Sequence, residues 1–448
     1  MRFGAVRRAL GSRFLRESTT LQAVALVTAG SNLAGSVAMT HVLGAHELSL
    51  FYLAIAAYSL LWGLMNLGLA SVATAKIAGA IRSGSDDDLV GWMGVFLRLS
   101  IALAVAAFAV GFFALPLGSE YAFDEDGARV GRLAAALSLV PLLDVLRIVC
   151  SAALQGERRM ASLARIDLGQ EICRVVLVVA GALIVGAAEG AVAGMLVASL
   201  CGTAFALDAY ARERRDGSSS LPSLRAALFS RTVPARRALG EGIQVGLVRN
   251  VDALGVQTLP RLILGAFGNT TWVAYLAIAQ RMVAVARLLM QGINRTALPV
   301  LSELAGVRDL HGLRRMYWRA SLLSGTTITA GVLLTLPLLP FVIRTLFPPD
   351  FVDPVWTMIL ILAPGLCIVS FSVANDVFYL VTGQMRVAIV LSLIGLMVNT
   401  TQVAFFAWWR PTVGVAIGLT VTCLWSLVHM GYAWRWFRAH PDLAASES

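Results

Sequence analysis

Apolar runs of 20 or more residues recur from one end of this chain to the other, and few folds can hide that much apolar surface from water. Of 448 residues, 58% are hydrophobic and only 14% charged, too little polar material to clothe a soluble particle of this size. The pattern is that of a polytopic membrane protein. Each run crosses the bilayer as a helix, because a helix satisfies its own backbone hydrogen bonds inside hydrocarbon. Twelve spans fit the runs, at roughly 20–42, 48–75, 90–115, 130–153, 165–187, 190–210, 240–265, 271–297, 318–343, 355–380, 386–409 and 412–436.

The formal charge is +10 and Lys76 is the only lysine. The arginines fall mostly on alternate loops, which is a topology signal and argues against nucleic-acid binding. On the spans above, 25 basic residues lie on the side of the N-terminus. Four, Arg129, Arg132, Arg344 and Arg410, lie on the other. That asymmetry places both termini in the cytoplasm. Residues 1–19 lack the apolar core and small-residue cleavage site of a signal peptide. Phe3, Val6, Leu10 and Phe14 alternate with arginines at helical spacing, which reads either as an amphipathic surface helix or as a basic tail that fixes orientation. The five cysteines form no CxxC pair and the histidines no metal spacing. No GxxxxGK[ST] stretch is present to hold ATP. The expectation is therefore no bound cofactor, with energy drawn from a proton, sodium or substrate gradient.

The longest basic connection, 212–239, contains GSSSLPS and seven arginines and reads as a linker. It divides the chain into a basic N-terminus (1–19), a first six-helix bundle (20–211), a second (240–437) and a tail (438–448). An even number of spans in each half makes the repeat parallel. Two echoes support it. LGA followed by YLAIA occurs at Leu43–Ala45 with Tyr52–Ala56, and again at Leu264–Ala266 with Tyr275–Ala279. A glycine closes the fourth span at Gly156 and the tenth at Gly383.

Charges inside the spans carry the chemistry. Arg98, Arg147, Arg174, Arg249, Arg261, Arg281 and Arg287 lie within apolar runs, against Asp144, Glu171 and Asp252. Each arginine costs about 3 kcal/mol at the centre of a lipid-exposed helix, so these residues face protein or water. Arg249 is nine residues in from Gly240, about 14 Å deep. The excess of positive charge favours a bound anion, and the planar guanidinium fork suits phosphate. Arg249, Arg281, Arg287 and Arg98 are the candidate cavity cations. Asp144 with Arg147 and Glu171 with Arg174 are i, i+3 neighbours that read as structural ion pairs or as a substrate or gating group. Asp252 is either the partner of Arg249 or a proton or cation site.

The chain resembles the bacterial polysaccharide transporters, or oligosaccharide flippases, of the multidrug/oligosaccharidyl-lipid/polysaccharide (MOP) exporter superfamily. The resemblance rests on HVLGAHELSLFYLAIAAYSLLWGLMNLGLASVATAKIAGA, on LILGAFGNTTWVAYLAIAQRM with INRTALPVLSELAG, and on LFPPDFVDPVWTMILILAPG. It implies an all-α membrane protein of about 12 transmembrane helices in two parallel six-helix bundles. It also implies transport of undecaprenyl-pyrophosphate-linked oligosaccharide from the inner to the outer leaflet, by alternating access, for O-antigen, lipopolysaccharide or exopolysaccharide synthesis. The partners implied are the lipid-linked oligosaccharide, membrane lipids and the glycan polymerase or co-polymerase proteins. The competing reading is a cation-coupled drug or small-molecule antiporter of the same superfamily. A membrane enzyme would need a large outer loop or an exposed acid–base constellation, and neither is evident.

Overall fold

The structure, a computed structural model, describes residues 26–440 apart from 66–67, 217–218, 231–232, 237, 241, 244–249, 252–253, 268 and 307–308. The side chains of 64–65, 286–289, 291–300, 302–303 and 305–306 also lie outside the described set. The chain folds as two compact units, Met1–Asn250 and Val251–Ser448. Helices are the regular elements of both, as hydrocarbon requires.

In the first unit, α1 covers 26–42, followed by α2 (Ala45–Met65), α3 (Leu69–Ser83) and α4 (Asp86–Ala122). Then come α5 (Gly127–Leu137), α6 (Val140–Gly156), α7 (Met160–Val185), α8 (Ala188–Arg215) and the short α9 (Leu224–Phe229). The second unit holds α10 (Leu259–Ala266), α11 (Thr270–Gly306), α12 (Leu310–Thr335), α13 (Leu339–Leu346) and α14 (Pro349–Ser370). It ends with α15 (Asn375–Val381), α16 (Met385–Trp409), α17 (Gly414–Thr422) and α18 (Trp425–Ala439).

Among the described residues, eight helical stretches are long and apolar enough to cross a membrane, and the pair α12–α13, bent by 60°, makes a ninth. The described parts of the other three expected spans fall on α1, on the stretch through α10 and on α11. Several spans read from sequence as single helices are broken. Residues 48–75 fall on α2 and α3, the fourth span on α5 and α6, and the tenth on α14 and α15. The breaks at 138–139 and at 371–374 fall in the fourth span of each half, so the repeat extends to its irregularities. The YLAIA echo lies on α2 and α11, where Tyr52, Leu53 and Ala54, and Leu276, Ala277 and Ile278, are almost fully buried.

In membranes, close packing replaces the hydrophobic effect as the force between helices. The α7–α8 hairpin shows it. A Cβ on Gly190 or Gly194 would stand 2.1 Å from the carbonyl oxygens of Gly181 and Leu177, so only glycine lets the two backbones meet. In the second unit an aromatic core joins α12, α15 and α18. Tyr317, Phe378 and Phe437 meet in edge-on and tilted contacts with centroids 5.3–5.7 Å apart, and the Tyr317 hydroxyl donates to Asn375 Oδ1 at 2.6 Å. Phe437 is thereby buried near the end of its span. Trp408 and Trp409 are exposed at the other end, as belt residues are.

Candidate functional site

The first unit encloses a charged cluster assembled from five helices. On α6, Arg147 Nη2 donates to Asp144 Oδ2 at 2.8 Å. On α7, Arg174 donates to both oxygens of Glu171, at 3.2 and 2.6 Å, and to Asn32 Oδ1 of α1. Asp167, one turn before Glu171, and Tyr58 of α2 lie within electrostatic reach of Arg147. On α8, Gly202 leaves room for this cluster, since a Cβ there would meet Gln170 Cγ at 2.8 Å and Arg147 Cδ at 3.4 Å. Arg147 is nine residues from the end of α6 and Glu171 eleven from the start of α7, which puts them about 14 and 16 Å in. That is mid-depth in a hydrocarbon core of about 30 Å. Asp144 is 7% exposed. Its Oδ1 and the Nε of Arg147 have no hydrogen-bond partner among the described residues.

Charge here is locally balanced and slightly negative, with Asp144, Asp167 and Glu171 against Arg147 and Arg174. The i, i+3 pairs were legible in the sequence. Asp167, Asn32 and Tyr58 were not, because nothing in their local spacing shows that other helices bring them together.

The second unit is different. Leu254–Thr258 winds as a π-helix, a wide turn that frees carbonyls inside the span. Two side-chain amides capture them. Asn399 Nδ2 donates to the Gly255 carbonyl at 2.7 Å and Gln280 Nε2 to the Val256 carbonyl at 2.9 Å. Asn399 in turn accepts from Thr422 at 2.9 Å. Arg261, buried on α10, donates through Nε and Nη2 to Gln280 Oε1 at 3.1 and 3.0 Å. This arginine is therefore held by an amide on the neighbouring helix. Arg281 is half-buried on α11. Between Asp252 and Glu303 the sequence has no acid, but it has Arg261, Arg281, Arg287 and Arg295. Arg249 and Asp252 lie outside the described residues, as does the side chain of Arg287.

Arg98, read from sequence as a cavity cation, is committed elsewhere. Its Nη1 donates to the carbonyls of Leu228, at 2.9 Å, and Ser230, at the end of α9. At the opposite end of the first unit, Arg129 bridges three helices. It donates to Glu47 of α2 at 2.5 and 2.8 Å and to Glu189 of α8 at 2.7 Å twice. Glu47 also accepts from the Ala188 amide at 2.9 Å. Arg129→Gln leaves two carboxylates facing a neutral group. Because the cluster is partly exposed, the expected loss is about 1–2 kcal/mol, read as a lower melting temperature of the detergent-solubilised protein with translocation largely retained.

Comparison with known proteins follows the same lines. The family model of "Polysaccharide biosynthesis protein" matches residues 14–305. No curated protein matches the chain. Among solved structures, an inward-facing multidrug resistance MATE family transporter of the MOP superfamily superposes with a TM-score of 0.77 at 17% identity, covering 92% of this chain and 95% of that one. An outward-facing MATE structure gives 0.68 at 17% identity, covering 95% of each. A MOP superfamily transporter from Pyrococcus furiosus, described as having a binding pocket of reversed polarity, gives 0.64 at 16%, covering 95% and 97%. At such identities the likeness shows the fold, a twelve-helix membrane transporter architecture, while the sequence match spans well over half the chain. The chain belongs to the polysaccharide biosynthesis protein family.

Proposed function

We propose that this protein flips a lipid-linked oligosaccharide, carried on a prenyl pyrophosphate, from the inner to the outer leaflet by alternating access. The observation that carries the reading is the uneven distribution of interior charge. In the first unit Arg147 and Arg174 are matched by carboxylates. In the second, arginines at 261, 281 and 287 share a 50-residue stretch with no acid. A pyrophosphate headgroup loses its water on entering the hydrocarbon zone, and guanidinium groups replace those hydrogen bonds in kind. An organic-cation antiporter needs the reverse, a surplus of interior carboxylates. The Asp144 cluster supplies a second half of the mechanism, since a buried carboxylate oxygen without a partner among the described residues accepts a proton or small cation that couples the cycle to a gradient.

The test is translocation of a short-chain prenyl-pyrophosphate glycan in proteoliposomes, followed by access of the glycan to a glycosidase on one side. Protein-dependent access, accelerated by an imposed proton or sodium gradient, is the expected result. Exchange of organic cations for protons with no movement of the glycan lipid would replace the flippase reading with the antiporter one.

A further inference from the structure

We infer that α9 and its flanks, the described residues of 221–238, form a strap that binds the anionic phospholipid headgroups of the leaflet at the arginine-rich end of the first unit. In the sequence this segment lies within the linker. In the structure it is built into the bundle. Leu221, Ala227, Val233 and Ala238 are buried in one core with Trp92 and Phe96 of α4. The Ala227 carbonyl oxygen lies so close to α4 that a Cβ on Gly94 would stand 2.2 Å from it. Ser223 caps α9 by accepting from the Ala226 amide at 3.1 Å. The Tyr210 hydroxyl donates to the Pro222 carbonyl at 2.6 Å. Glu157 accepts from the Ser219 hydroxyl and the Ser220 amide, both at 2.8 Å. Arg98 takes the carbonyls at the far end of α9.

The level of the strap follows from the length of α4. Its 37 residues span about 55 Å, some 25 Å more than the hydrocarbon core, or roughly 12 Å beyond each side. Gly94, eight residues into α4, is about 12 Å along it and so marks the hydrocarbon boundary. Burial agrees. Residues 91–97 of α4 are buried, 98–101 are half-buried, and the first exposed residue beyond them is Ala102. The strap therefore lies in the plane of the headgroups.

Its outer face fits that place. Phe229 is 80% exposed, a large ring that water would not favour but the acyl boundary accepts. Arg225 and Arg236 flank it, both exposed. No acidic side chain pairs with either among the described residues. A buried apolar face, an exposed aromatic ring and free guanidinium groups at one level match an anionic lipid surface in charge and in polarity.

The experiment labels Phe229→Cys with bimane in the full-length protein, with the labelled wild type subtracted as the background of its native cysteines. In bilayers containing phosphatidylglycerol the emission is expected to shift to the blue and to be quenched by shallow brominated lipids. The shift is expected to shrink in pure phosphatidylcholine. It is also expected to be lost when Arg225→Gln and Arg236→Gln are added, with the protein still monodisperse. Emission typical of water, quenched by iodide in both bilayers, overturns the proposal. So does a blue shift that ignores both lipid charge and the arginine substitutions. A shift restored in phosphatidylcholine by a prenyl pyrophosphate, but absent with phosphatidylglycerol alone, overturns it too, by assigning the strap to the transported lipid.

Discussion

Arg147→Ala costs the first unit about 3–5 kcal/mol, the loss expected when one partner of a buried ion pair is removed. Asp144 is 7% exposed, and among the described residues one of its carboxylate oxygens already has no hydrogen-bond partner. Its other oxygen accepts from Arg147 at 2.8 Å. Without the guanidinium, the carboxylate keeps its desolvation cost and loses its compensation, with Asp167 nearby adding to the negative field. The variant is expected to melt well below wild type in detergent and to reach the membrane in smaller amounts. A second variant separates fold from function. Asp144→Leu combined with Arg147→Met removes both charges and is expected to recover most of the stability. If the double variant is stable and still responds to an imposed gradient, the pair is structural only. If it is stable and translocates without responding to the gradient, the pair couples transport to the ion. A single Arg147→Ala variant as stable as wild type would show that water or a neighbour already neutralises Asp144.

The architecture was legible because hydrocarbon allows so few solutions. Apolar runs and a shared YLAIA on α2 and α11 are signals of period and composition, and both survive translation into structure. What was less legible depends on how segments return to one another. Arg98 looked like a deep cation because its neighbours on α4 are apolar. The linker folds back over α4, and the composition of GSSSLPS cannot show that Leu221 and Ala227 dock beside Gly94. The two equivalent glycines also differ. Gly383 turns the chain with φ 70°, whereas at the first-half counterpart the left-handed residue is Arg158, at φ 62°. Gly156 is needed for contact, since a Cβ there would stand 2.7 Å from Ile77 Cγ2. The π turn at Leu254–Thr258 has no sequence signature either. Its carbonyls are satisfied by Gln280 and Asn399, the latter 144 residues from Gly255. Local spacing finds i, i+3 pairs and misses partners brought from other helices, as it missed Asn32 for Arg174.

Arg281→Ala is expected to slow translocation of the glycan lipid roughly ten- to a hundredfold while leaving the protein folded. The size follows from one charge-assisted hydrogen bond to phosphate, about 1.5–3 kcal/mol, at 1.4 kcal/mol per tenfold change. The choice of residue follows from its setting. Arg281 is six residues from Arg287 along the chain, within a segment that holds no acid. The almost fully buried Leu276, Ala277 and Ile278 precede it on the same helix, so that part of α11 is anchored by apolar packing and does not depend on the arginine for its position. Arg281→Lys is the informative companion. It keeps the charge and loses the fork, and an intermediate rate is expected if the fork grips a phosphate, because lysine binds phosphate as a point charge. A lysine variant as fast as wild type would assign the residue to the field of the cavity alone. An alanine variant as fast as wild type would remove Arg281 from the path of the headgroup. Arg287→Ala and Arg249→Ala, compared in the same proteoliposomes, then decide which of the remaining second-half arginines carries the pyrophosphate.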